Sequence, residues 1–80
     1  MRHPHPFVIV AEALHCKPEE LTADSSMYHT HGWDSFGHLA VIQALEQAFG
    51  ISIDDASVER YTTMKAILEL YETRQHDDGR

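Results

Sequence analysis

The sequence holds a single cysteine, Cys16, among its 80 residues. One thiol excludes an internal disulfide framework and any zinc site built on paired cysteines, and it fits a reducing compartment. Basic residues are scarce as well: six Lys and Arg stand against 13 Asp and Glu, for a formal charge of −7. Nucleic acids and anionic membrane surfaces are gripped through Lys and Arg, so neither is expected as a partner. The acidic surplus favours partners that present basic patches, although a charge of this size also serves plain solubility. Long apolar runs are missing too. The segment MRHPHPFVIVAEAL carries two prolines and only a short apolar stretch before Glu12. That is too short and too broken for a secretory leader or a membrane span, and the expectation is a cytoplasmic chain. We find no repeat, low-complexity tract, linker or convincing strand pattern.

What is present reads as helix. The length suits one domain, residues 1–80, with an ordered core over about residues 6–73 and polar ends that fray. A domain of this size buries only about 60% of the surface its unfolded chain exposes. Its function should therefore sit on the surface or be completed by a partner. The first helix is expected from about Pro6 to His15, with Phe7, Val10 and Leu14 on one face and Pro18 ending it. A long loop over 16–34 follows, anchored by Leu21, Met27 and Tyr28. Loops of such length in a small domain are often functional. The second helix starts at Asp34 and Ser35, both good N-caps, and runs with Leu39, Ile42, Leu45 and Phe49 as its inward stripe until Gly50 stops it. Ile51 and Ile53 return to the core. Asp54 and Asp55 are set to cap a short third helix through Val58 and Tyr61. Thr63 then caps a last helix with Met64, Ile67, Leu68 and Tyr71 inward. Three main helices, one short helix and a long first loop make an all-α four-helix bundle.

The stretch most informative for chemistry is Gly32-Trp33-Asp34-Ser35-Phe36. It places a serine hydroxyl at the exposed start of the best helix. Free backbone N–H groups and the positive end of the helix dipole gather there, a favourable setting for a phosphodiester. On spacing alone, Asp34 or Ser35 is equally well read as a simple N-cap.

From Phe7 to Tyr71 the chain resembles the acyl carrier protein family. The matching pieces occur in order: KPEEL after the first helix, GWDSFGHLAVIQALEQAFGI around the second, and ASVERYTTMKAILELYE at the end. In that family the serine of an Asp-Ser-Leu motif receives 4′-phosphopantetheine from coenzyme A. Here Asp34-Ser35-Phe36 occupies the motif, with Phe36 for the usual leucine. The resemblance implies an acyl-carrier-like fold and a non-catalytic carrier, monomeric, that holds acyl intermediates as thioesters on an arm at Ser35. Asp34 is then the neighbour that helps a partner enzyme hold metal-bound coenzyme A. The implied partners are a phosphopantetheinyl transferase and the acyl-activating, acyltransferase or synthase enzymes of fatty acid or polyketide biosynthesis. They would dock through Phe36, Ala40, Val41, Glu46, Asp54, Asp55 and Glu59. The chain departs from the housekeeping carriers of fatty acid synthesis: Gly37, Ala40 and Gln47 stand where acidic residues often occur, and Trp33 replaces a small residue. A dedicated carrier in a specialised pathway fits these departures.

Other readings compete. A peptidyl or aminoacyl carrier of the D-alanyl type shares the fold, arm and serine. A helical interaction module without cofactor would use the mildly apolar flank Ala40, Val41, Ala44 and Ala48. Asp34, Ser35 and His38 contain the letters of a hydrolytic triad, but Gly32 and Gly37 miss the register of a nucleophile elbow and no strand precedes the serine. His38 is expected to be exposed near the docking face. Two His-x-His pairs, His3/His5 and His29/His31, offer four imidazoles for zinc, yet nothing in the sequence fixes one pair against the other. No metal is expected. Cys16 reads as a small core residue.

Overall fold

The computed structural model describes residues 4–78, with side chains described through residue 73. Of the ends expected to fray, residues 1–3 and 79–80 lie outside the described residues. Four helices follow one another: α1 (Pro6–Leu14), α2 (Ser35–Phe49), α3 (Asp55–Val58) and α4 (Met64–Asp78), with a 3-10 turn over Pro18–Glu20. Three are substantial and one is a single turn, and no strand occurs among the described residues, as the sequence pattern predicts.

Each helix boundary has a local cause. His5 precedes α1 in extended conformation, its Nδ1 accepts the Phe7 N–H at 3.1 Å, and Pro6 fills the first helical position. The helix does not run on to Pro18. It ends at Leu14 because His15 turns left-handed (φ 59°), so that the Cys16 and His15 amides fold back onto the Ala11 and Glu12 carbonyls. This is the Schellman arrangement, with histidine in the place glycine usually takes. Gly50 (φ 64°) closes α2 in the same way. Asp54 caps α3, accepting the Ser57 N–H at 2.8 Å, and the Thr63 hydroxyl accepts the Ala66 N–H at the start of α4.

The core gathers Ile9, Val10 and Leu14 from α1, Val41, Leu45 and Phe49 from α2, and Met64 and Ile67 from α4. The loop over 16–34 contributes Leu21 and, above all, Trp33, which is 1% exposed. Two of its three expected anchors hold: Leu21 is buried and Met27 half-buried. The third, Tyr28, points outward. The strongest anchor is Trp33 instead. The loop is also stitched to the start of α4, the Met27 N–H donating to Thr62 and the Met64 N–H to Ser25, both at 2.8 Å.

The inward stripe of α2 differs from the expected one at its first position. Leu39 is 57% exposed, and the buried positions are His38, Val41, Ile42, Leu45 and Phe49. Counting back from Ile42, Leu45 and Phe49 by helical steps reaches 38 as readily as 39. The imidazole wins because it finds two hydrogen-bond partners inside, which removes the penalty of burying it.

At Gly37, α2 packs closely against the loop. A β-carbon there would run into the Gly32 carbonyl and press on Leu14 Cδ2. Backbone cannot yield as a flexible side chain does. Gly37→Ala is therefore expected to lower stability by roughly 1–3 kcal/mol, the usual range for overpacking, measured as a drop in denaturant midpoint.

Candidate functional site

Ser35 is the first residue of α2 and its side chain is exposed. The sequence left open whether Ser35 or Asp34 caps the helix. The structure gives that task to Asp34: its backbone is extended and its Oδ1 accepts the Gly37 N–H at 2.9 Å. The Ser35 hydroxyl is thus released from capping. Its one partner in the site is the phenol of Tyr28, with Oη and Oγ sharing a hydrogen bond of 2.6 Å. No acidic side chain lies within the first turn of α2 itself; the Asp34 carboxylate, at the preceding position, meets the positive end of the helix dipole through its cap to the Gly37 N–H.

The position of Ser35 is set from both sides by a buried relay. The Trp33 indole N–H donates to His38 Nδ1 at 3.0 Å, and His38 Nε2 meets the Val58 carbonyl at 2.8 Å. Indole can only donate and a carbonyl can only accept. The imidazole is therefore neutral, with its hydrogen on Nε2. The two rings also stack, 29° between planes and 6.2 Å between centroids. Loop, α2 and the end of α3 are joined through one side chain, and the Asp34-Ser35 pair lies between the two stacked residues in sequence.

This arrangement corrects the expected role of His38. It is buried at 4% exposure rather than displayed on a docking face. Both its nitrogens are committed away from Ser35 and the Asp34 carboxylate is occupied by capping, so the three residues do not assemble a hydrolytic triad. Sequence reasoning also missed Trp33 and Tyr28 as parts of the site. A large aromatic immediately before a helix start was the available signal for the first. Nothing in the spacing marks the second.

The expected docking residues divide. Phe36 is 85% exposed, and Asp54, Asp55 and Glu59 face outward. Ala40 is half-buried. Val41 is fully buried and cannot meet a partner, because it lies on the inward stripe. Glu46 is half-buried and its carboxylate accepts the Ile53 N–H at 2.8 Å, holding the turn after α2. Leu39, expected inside, instead joins Phe36 outside, one helical turn away.

Ser57 holds the Asp54 carboxyl below the ordinary carboxylate range, mainly by hydrogen bonding from its backbone N–H. A depressed folded-state pKa contributes stability above the unfolded pKa, and that contribution is lost as pH falls through the folded value. Asp54→Asn, which keeps a capping oxygen, should remove this part of the acid limb of a stability–pH curve.

Cys16 is half-buried against the core, and burial, then the nearby Glu20 charge, push its thiol pKa up. That suits the expected packing role. His29 and His31 are exposed, and His3 lies outside the described residues. Among the described residues no three His, Cys, Asp or Glu side chains gather as a metal site would require, and no helix is long and apolar enough to cross a membrane. A family model described as the phosphopantetheine attachment site matches residues 8–71.

Proposed function

The chain belongs to the phosphopantetheine attachment-site family, in which 4′-phosphopantetheine is attached covalently to a serine, and on that premise we propose that Ser35 is the attachment residue and that the cargo is acyl. The role that follows from the family is that of a carrier domain. The observation that supports Ser35 is its hydroxyl, exposed at the first position of α2 while Asp34 does the capping. The residues fit the group: Oγ stands at the N-terminal turn of α2, whose backbone amides favour an anion, and Asp34, the adjacent carboxylate, is engaged in capping the Gly37 N–H.

When bound, the arm supplies a terminal thiol that holds an acyl group as a thioester. The protein's own residues do the rest. Asp34 and the Trp33–His38 relay fix where the tether begins. Phe36 and Leu39 offer an apolar surface beside it, and Asp55 and Glu59 add negative charge toward basic patches on partner enzymes. Docking of this kind is weak and fast, and the tether compensates by raising the effective concentration of cargo at whichever enzyme is docked. The partners in this reading are a phosphopantetheinyl transferase and acyl-activating, acyltransferase or synthase enzymes, met by a monomeric, cytoplasmic, single-domain carrier.

Intact mass of the chain after incubation with coenzyme A and a phosphopantetheinyl transferase tests the tether. One arm per chain is expected, and no mass gain with several broad-specificity transferases overturns the reading. The mass of the thioester on protein from its own cells tests the cargo. An aminoacyl group there would replace the acyl assignment and leave the tether intact.

A further inference from the structure

Tyr28 is an unusual residue on two independent counts. Its backbone is left-handed (φ 68°), a conformation that costs a bulky L-residue free energy and that glycine or asparagine normally occupies. And its phenol, on a side chain 68% exposed, stands 2.6 Å from the Ser35 oxygen. The strain is held by a compact ring of bonds. The Tyr28 N–H donates to the Trp33 carbonyl at 2.7 Å, the Trp33 N–H to Thr30 at 3.0 Å, and the Ser26 N–H to the Thr30 hydroxyl at 3.1 Å. Burial explains neither feature, since the ring lies mostly in water. Backbone strain that survives in a well-tied loop and aims a polar atom at a reactive one marks a functional placement.

We propose that Tyr28 is a positioning residue for the arm: its phenol holds Ser35 Oγ in the unmodified chain and donates a hydrogen bond to the phosphodiester once the arm is attached. This rests on Ser35 being the attachment residue. In the unmodified chain either oxygen can be the donor. After attachment Oγ is an ester oxygen without hydrogen, so only the phenol can donate. The anionic oxygens of the diester then lie on the phosphorus bonded to Oγ, and they accept more strongly than a neutral ester oxygen. The phenol would thus turn a freely rotating root into one with a preferred direction, narrowing the space the thiol sweeps.

The test compares the arm-bearing wild-type chain with arm-bearing Tyr28→Phe, which keeps the ring and loses one oxygen. Amide NMR spectra serve as the control that the fold is unchanged. In Tyr28→Phe the phosphorus resonance should shift, and its transverse relaxation rate should fall, toward the values of free phosphopantetheine. In the wild type, attaching the arm should move the ring resonances of Tyr28 and spare those of Tyr61 and Tyr71. Identical phosphorus shift and relaxation in the two chains overturn the proposal for Tyr28 alone. A wild-type chain that takes up no arm overturns it together with the Ser35 assignment, and the intact mass tells the two failures apart.

Discussion

Trp33→Ala is expected to remove about 3–5 kcal/mol of stability, the range for truncating a large buried aromatic. Trp33 is the chain's one tryptophan and is almost wholly buried in a core that a small domain can barely afford to thin. The truncation leaves a cavity and also strips His38 of the donor to its Nδ1. A domain of ordinary stability has about 5–15 kcal/mol in all, so the variant should unfold at much lower denaturant. Circular dichroism is the suitable probe, since the only indole is gone. Trp33→Phe keeps most of the packing and loses the N–H, and should cost about 1–2 kcal/mol. Combined with His38→Gln, the two losses should be non-additive, because both variants break the same bond. Additive losses would mean that the relay is incidental to the packing.

Ser35→Ala is expected to do the opposite: abolish attachment of the arm and leave the fold as it is. Ser35 occupies the first helical position, where alanine is well tolerated, and it neither caps α2 nor fills the core. The variant gives up only the exposed bond to Tyr28. Its unfolding midpoint should therefore shift by no more than about 0.5 kcal/mol in free-energy terms. Loss of the arm with an unchanged melting curve assigns the loss to the hydroxyl. Loss of both would show that Ser35 has a structural duty the geometry does not reveal.

Helix existence was legible in the sequence because the caps and stops are local. Pro6, Gly50, Asp54 and Thr63 each act within one turn of their own position, and each stands where the pattern puts it. The errors arose where distant groups decide. Leu39 and His38 compete for one face of α2, and the Val58 carbonyl, 20 residues on, settles the contest for histidine. Val41 looks available for a partner when the stripe starts at Leu39, whereas with His38 inside, positions 38, 41, 42, 45 and 49 share the inward face. His15 took over a stop assigned to Pro18 because a histidine can occupy the left-handed corner that usually needs glycine. Its aromatic ring marks Tyr28 as an anchor, whereas a loop bound back onto Trp33 turns it outward to Ser35. The serine itself was legible as the start of the best helix. That Asp34 relieves it of capping was not, since both residues cap equally well on paper.

The central claim is that one hydroxyl, at the first position of α2, tethers the arm. Fragmentation mass spectrometry of the modified wild-type chain reads this directly. The account predicts a single phosphopantetheine on the fragment ions that contain Ser35. The added mass on Ser25, Ser26, Ser52 or Ser57, or on no fragment at all, would contradict it.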